Sequence, residues 1–121
     1  MRVIIAGTRG NKDPYTLIRA LDNCGFDDEI TCVICGMEPS GGDQLGKNWA
    51  DELGIPVIQM PAEWRFPSGA FDRTAGFKRN EEMASIADAL IAVWDGHSPG
   101  TADMITRAKR HKLRIHTELY G

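Results

Sequence analysis

Cysteine, positive charge and long apolar runs are all scarce in this sequence. Only 3 of its 121 residues are cysteine, and a small odd number in a chain of this size favours reduced thiols over a disulfide framework. Basic residues (14) do not outnumber acidic ones (17), so the net charge of −3 gives no electrostatic footprint for nucleic acid. No stretch approaches the ~20 apolar residues of a membrane span. We therefore expect neither nucleic acid nor a membrane as a partner.

The length of the chain and its first residues indicate the location of the protein and the number of its domains. The apolar run at residues 1–7 is too short for the core of a signal peptide, so we expect a cytoplasmic location. A chain of 121 residues suffices for one hydrophobic core and leaves no room for a second. We predict a single domain over residues 1–121, without a linker or an internal repeat.

Short β-branched runs alternate with amphipathic segments along the chain. The runs predict strands at residues 2–6, 30–35, 55–60, 88–94 and 113–117, and the segments predict helices at 14–23, 43–53, 76–87 and 100–111. Such alternation is typical of βαβ crossovers. It predicts an α/β fold of Rossmann-like type, a three-layer sandwich with a mostly parallel five-stranded sheet and helices on both faces. Ligands of such sheets bind beyond the carboxyl ends of the strands, near the switch in strand order.

Cys32 and Cys35 form a C-x-x-C spacing, which also occurs in zinc and redox sites. Both lie in a predicted strand, where residues three apart point to opposite faces. Neither a shared metal ion nor a disulfide suits that geometry. We interpret both as packing residues and predict no metal site.

Gly7, Thr8 and Arg9 follow the first strand. Glycine permits a close backbone approach there, and arginine can fork onto a phosphate or carboxylate. The pattern is not G-x-G-x-x-G, and the second strand ends in Cys35-Gly36 where a dinucleotide-binding domain would carry an acid. We therefore predict no nicotinamide or other cofactor. The alternative is a tight turn with a solvated Arg9.

The turn after the second strand runs from Gly36 to Gly42 and Asp43. The free N–H groups of the helix that follows can hold an anion. Asp43 can cap this helix, or it can bind ribose hydroxyls, and both interpretations stay open.

The turn after the fourth strand again brings glycine, hydroxyl and N–H groups to a helix N-terminus, through Gly96, Ser98, Gly100 and Thr101. A phosphate would suit this place. The alternative is that these residues only begin the helix and bind no ligand, with Ser98 as N-cap and Pro99 in the first helical position.

Arg79 and Asn80 lie near the start of the third helix. Positive charge there opposes the helix dipole unless an anion compensates it, so we expect this pair to point at a ligand. In the preceding loop, Trp64, Phe66 and Phe71 can stack on a base or pack together as a small core.

These loops together resemble the SLOG superfamily, named for Smf, DprA and LOG, and in particular its small YspA-like branch. The similarity is carried by Gly7-Thr8-Arg9, Gly41-Gly42-Asp43-Gln44-Leu45 with Trp49-Ala50, Pro61-Ala62-Glu63-Trp64, Arg79-Asn80-Glu81-Glu82-Met83 and Gly100-Thr101-Ala102-Asp103-Met104. The resemblance implies a Rossmann-like sheet that binds nucleotides or nucleotide-derived signals, with phosphate on the glycine-threonine turn. It also implies a homodimer or higher homo-oligomer.

The LOG branch is similar too, and its members are phosphoribohydrolases that release a base from a nucleoside monophosphate. Their pattern pairs an arginine with a glutamate three residues after a threonine. Arg79 matches the arginine, but the glutamate position falls on Met104, which cannot polarise a water. Asp103 is one residue early, about 100° around the helix.

Three hypotheses follow. In the first, the domain binds or senses a nucleotide-like small molecule: Asp43, Arg79 and Asn80 engage ribose or base, and the phosphate is surrounded by Gly7, Thr8, Arg9, Ser98, Gly100 and Thr101. In the second, the domain cleaves an N-glycosidic bond, with Arg79 orienting the phosphoribosyl group and Asp103 or Glu82 as the carboxylate. In the third, the domain is an interaction module with a vestigial site.

Overall fold

The computed structural model describes residues 1–8, 10–36 and 42–120, and only the backbone of Gly42 and Asp43. The strands are β1 (Arg2–Gly7), β2 (Cys32–Cys35), β3 (Val57–Gln59), β4 (Ala89–Trp94) and β5 (Arg114–Leu119). The helices are α1 (Pro14–Cys24), α2 (Gly42–Leu53), α3 (Ala75–Ile86) and α4 (Pro99–Arg110), with a short 3₁₀ helix at Asp27–Glu29.

The five strands form one sheet in the order β3-β2-β1-β4-β5. Every pairing is parallel, from Val33 opposite Val57 to Ile91 opposite His116. The predicted α/β, Rossmann-like fold is therefore confirmed, and the sheet is parallel throughout rather than mostly. A helix lies between each strand and the next, which is the crossover that parallel pairing requires.

Side chains of the central strands alternate between two cores. Val3 and Ile5 of β1 pack with residues of α1 and α2, whereas Ile4 and Ala6 pack with residues of α3 and α4. Because successive strand residues point to opposite faces, this alternation covers the sheet on both sides. The result is the predicted three-layer sandwich.

Two strands are shorter than the predicted ranges 30–35 and 55–60. The N–H of Ile30 donates to the Asp27 carbonyl, which closes the 3₁₀ turn, and the N–H of Ile55 donates to the Ala50 carbonyl at the end of α2. These apolar residues therefore bond to the preceding turn or helix rather than to the sheet. Their side chains pack against the same core as the strand residues.

The switch in strand order lies between β1 and β4. Strands β2 and β3 lie on one side of β1, and strands β4 and β5 lie on its other side. The N–H of Thr8 donates to the Val93 carbonyl over 3.0 Å, and the Thr8 hydroxyl accepts from the N–H of Asp95 over 3.0 Å. These bonds join the loops after β1 and β4 at the edge where ligands of such folds bind. In the described part of the chain, no helix is long and apolar enough to span a membrane.

Candidate functional site

A cleft of about 410 Å³ opens at the carboxyl end of β1, between the N-terminal parts of α3 and α4. This volume lies within the usual range for small-molecule sites, roughly 300–1,000 Å³. Seven of the residues predicted from the sequence line it: Gly7, Trp64, Arg79, Asn80, Ser98, Gly100 and Thr101. The fold thus brings together residues that follow β1, β3 and β4 and are far apart in the sequence.

The cleft is cationic on its polar side. Arg73 and Arg79 both line it, and among the described residues no aspartate or glutamate does. The remaining wall is largely apolar, with Phe77, Met83 and Met104. Such a lining suits a molecule that carries an anionic group and a flat apolar part.

Sequence reasoning missed Arg73, Phe77 and Met83. Gly76, Asn80 and Met83 have the i, i+4, i+7 spacing of one helix face, so placing Asn80 at the ligand should have implicated Met83 as well. Arg73 lies in a loop without a period, and nothing in the sequence distinguishes it from other arginines.

The α4 N-terminus has two backbone donors without partners in the part of the chain that the structure describes. The side chain of the N-cap residue Ser98 makes no capping hydrogen bond, and its hydroxyl instead donates to the Asp95 carboxylate over 3.0 Å. The N–H of Ala102 donates to the Ser98 carbonyl, whereas the N–H groups of Gly100 and Thr101 find no acceptor within the described residues. Pro99 occupies the first helical position, as in the structural alternative, but the expected side-chain cap is absent.

Asp95 holds the turn that precedes α4. Its carboxylate accepts from the backbone N–H groups of Ser98 and His97, each over 2.8 Å. These two bonds, with smaller contributions from the hydroxyls of Ser98 and Thr8, lower the pKa of Asp95 to about 2. Gly96 has a φ of +86°, a conformation that this tight turn requires and that glycine adopts without strain.

On the α3 side, the hydrogen bonds of Arg79 include one to the end of β2 and one to its neighbour in the helix. Its Nη1 donates to the Gly36 carbonyl over 2.7 Å, and its Nε donates to the Asn80 amide oxygen over 3.1 Å. The Asn80 side chain is nearly buried, and its Nδ2 donates to the Gly100 carbonyl and to Asp103. Arg79 therefore bridges from α3 to the end of β2 along one side of the cleft.

A family model described as YspA, cpYpsA-related SLOG matches residues 1–66, which is more than half of the chain. The chain belongs to this SLOG family. The match confirms the resemblance stated from the motifs, and it includes the cleft residues Gly7 and Trp64. No curated protein and no solved structure matches the chain significantly.

The carboxylates of the hydrolase hypothesis lie away from the cleft of this SLOG domain. Asp103 is paired with Arg107, whose Nε donates to it over 2.8 Å, and Glu82 lines a separate depression. Met104 occupies the position that carries a glutamate in the LOG pattern; it lines the cleft and is 1% exposed. The one-residue offset noted in the sequence thus turns the carboxylate from the cleft toward α3.

The loop before α3 folds back on itself as a small hairpin. The N–H of Asp72 donates to the Trp64 carbonyl over 2.7 Å, and the rings of Trp64 and Phe71 stack at 5.8 Å. Trp64 also lines the cleft, so both interpretations of this residue remain compatible with the structure. Asp72 anchors the loop through Lys78 and Thr74, and these contacts lower its pKa to about 2.

Three other predicted ligand residues have different surroundings. Thr8 is buried at the β1–β4 junction and is hydrogen-bonded to Asp95. The carbonyl of Gly36 accepts a hydrogen bond from Arg79. Gly96 forms the turn before α4. Arg9 and the side chains at positions 42 and 43 lie outside the described residues, so Arg9, Gly42 and Asp43 stay predictions.

Proposed function

We propose that this SLOG domain binds or senses a nucleotide or a nucleotide-derived small molecule in the cleft at the end of β1. SLOG domains generally bind nucleotide-derived ligands. The observation that carries the proposal is the lining of the cleft: two arginines, two partnerless N–H groups of α4, and no carboxylate among the described residues.

The phosphate of the ligand would sit at the α4 N-terminus. The N–H groups of Gly100 and Thr101 supply donors there, and the helix dipole favours negative charge. Arg79, across the cleft, would donate to the sugar or the base. Trp64 offers a flat aromatic face on which a base can stack, and Met83 adds an apolar contact.

N-glycosidic hydrolysis is the alternative, and it requires a carboxylate that stabilises positive charge or polarises a water. The apolar side chain of Met104 and the pairing of Asp103 with Arg107 favour binding over cleavage. Incubation with AMP should therefore release no free adenine. Free adenine that disappears in Asp103→Asn or Glu82→Gln would instead establish a hydrolase.

A thermal-shift and calorimetry panel tests binding directly. We expect at least one of AMP, cyclic AMP and ADP-ribose to raise the unfolding temperature, because a ligand at 100 times its Kd stabilises the native state by about 2.7 kcal/mol. A panel without any shift at millimolar concentration would refute the proposal.

Two arginines of the same loop provide a matched pair of variants. Arg73 lines the cleft, whereas Arg65 donates to the Gly69 carbonyl and lies outside it. Arg73→Gln should weaken binding by about tenfold, the loss of one charge-assisted contact, and Arg65→Gln should not. Equal affinities of the two variants would place the ligand elsewhere.

A further inference from the structure

The side-chain hydroxyl of Thr101 is a donor in the cleft that the described part of the chain does not use. Thr101 lines the cleft and is only 5% exposed, yet its Oγ1 has no hydrogen-bond partner among the described residues. No fully buried side-chain oxygen or nitrogen in that part of the chain lacks a partner. The unpaired Oγ1 is therefore accessible, and the surface that it reaches is the cleft.

A threonine hydroxyl in a helix ordinarily donates to the carbonyl three or four residues before it. Thr106, in the same helix, follows this rule: its Oγ1 donates to the Ala102 carbonyl over 3.1 Å. Thr101 does not follow it, so its two local acceptors need a closer look.

Neither local acceptor is free for the Thr101 hydroxyl. The carbonyl four residues back, that of His97, is turned away from the helix, because the N–H of Thr101, which a continuous helix would direct at it, finds no acceptor. The carbonyl three residues back belongs to Ser98. It accepts the N–H of Ala102 over 3.2 Å and the indole Nε1 of Trp94 over 3.1 Å. A carbonyl oxygen has two lone pairs, so both are used.

The bond from Trp94 is the unusual one of these two. The bond from Ala102 is the first of the helix and forms wherever a helix begins at this place. Trp94 ends β4, and the single donor of its indole reaches forward to Ser98. The start of α4 does not depend on this contact alone, because the carboxylate of Asp95 also holds the preceding turn. What the indole adds is the occupation of the second lone pair.

We propose that Trp94 is a positioning residue of the cleft: its indole N–H occupies the Ser98 carbonyl and so keeps the Thr101 hydroxyl available as a donor to the anionic group of the ligand. Trp94 itself does not line the cleft. Together with the N–H groups of Gly100 and Thr101, the hydroxyl gives this helix end three donors for one anion. The proposal rests on the proposed function for the ligand that carries the anion.

A purely structural role for Trp94 is the competing explanation, because its ring packs against the core on the α3–α4 side of the sheet. Trp94→Phe keeps an aromatic ring and removes the N–H. A structural role predicts that this variant loses stability while the Thr101 hydroxyl stays where it is. Trp49→Phe makes the same change at the core of the other face, so it is the control variant.

The first experiment compares crystal structures of the wild type, Trp94→Phe and Trp49→Phe, grown without nucleotide, phosphate or sulfate. In the wild type and in Trp49→Phe, the Thr101 hydroxyl should lie beyond hydrogen-bond distance of the Ser98 carbonyl. In Trp94→Phe it should turn onto that carbonyl, whose second lone pair is then free. Trp94→Leu takes the place of Trp94→Phe where the phenylalanine variant does not fold.

The second experiment measures AMP affinity by calorimetry in a double-mutant cycle of Trp94→Phe and Thr101→Val. Thr101→Val alone should weaken binding about tenfold, the loss of one hydrogen bond to a charged group, and Thr101→Ser should stay within about twofold of the wild type. In the Trp94→Phe background, Thr101→Val should cost less than about threefold, because the hydroxyl is already engaged. Thr106→Val removes a hydroxyl bonded within the helix and should leave AMP affinity unchanged.

A Thr101 hydroxyl that is bonded to Ser98 in the wild type, or that does not move in Trp94→Phe, would overturn the proposal. So would equal costs of Thr101→Val in the two backgrounds, which would mean that Trp94 acts independently of Thr101, and so would unchanged AMP affinity in Thr101→Val. Because the crystal comparison needs no ligand, it decides whether Trp94 controls the hydroxyl even if the nucleotide panel fails and the proposed function falls.

Discussion

Two glycines in helices of this domain should respond in opposite ways to the same substitution. A Cβ atom at Gly46 of α2 would lie 2.6 Å from Cγ2 and 2.8 Å from Cβ of Ile5, whereas a Cβ atom at Gly100 of α4 would meet nothing within 4 Å. Helix propensity alone predicts that alanine stabilises at both positions, by up to about 1 kcal/mol. The contacts predict a gain only at Gly100.

The magnitude at Gly46 follows from its surroundings. Ile5 is fully buried in the central strand, and its Cβ atom cannot move without the backbone of β1. Overpacking of this kind costs about 1–3 kcal/mol, and the gain in propensity offsets about 1 kcal/mol of it. Gly46→Ala should therefore lower stability by about 1 kcal/mol and the unfolding temperature by about 4 °C.

Urea denaturation and thermal melts of Gly46→Ala and Gly100→Ala measure the contrast. In an Ile5→Ala background the 2.6 Å contact is removed, so Gly46→Ala should cost less there. Equal stabilisation by both alanine variants would refute the reasoning, since it would mean that α2 moves away from β1 at no cost. Gly100→Ala also adds a methyl group to a residue that lines the cleft, and it should weaken ligand binding while the fold is stabilised.

Three further predictions concern acid stability, fluorescence and one helix end. The pKa values of Asp72 and Asp95 are lowered from 3.8 to about 2, so their contribution to stability is complete above about pH 4 and is lost as the pH falls toward 2. Thermal melts from pH 5 to pH 2 should show this loss of stability. Asp95→Asn should make the loss less steep. Because Trp64 lines the cleft, Trp64→Phe should reduce the ligand-dependent change in tryptophan fluorescence, whereas Trp49→Phe, in the core on the other face, should retain it. Gly25 ends α1 with a φ of +82°, so Gly25→Ala should cost about 1 kcal/mol in urea denaturation, and an unchanged midpoint would contradict that estimate.

The periodicity of the sequence was sufficient for the fold because each element carries its own signal. Strand β4 is a continuous buried run, and α1 begins at Pro14 behind the capping side chain of Asp13 and ends at Gly25. These local signals do not depend on the rest of the chain, so they predict the elements to within one or two residues. The strand order is not contained in these local signals, and only the structure gives it.

The site was only partly predictable, because its hydrogen bonds join residues that are distant in the sequence. Arg79 and Gly36 are separated by 43 positions, and only the placement of α3 above the ends of β1 and β2 brings them together. The same holds for Asn80 and Asp103. Their residue types suggested a ligand site, but the partners of each side chain depend on packing that no local pattern encodes.

The register of α4 determines which of its side chains face the cleft. The buried face of this helix is formed by Thr101, Met104 and Ala108. The adjacent face, toward α3, carries Asp103 and Arg107, which are four residues apart. A step of one residue rotates a helical side chain by about 100°, so an acid at position 103 meets Asn80, whereas an acid at position 104 would enter the cleft. The Gly100–Met104 motif therefore keeps the donors that suit a phosphate and places its only carboxylate behind the arginine. A motif with the carboxylate at 104 would combine the same donors with a reactive group, so this register is one reason why we propose binding rather than hydrolysis for this chain.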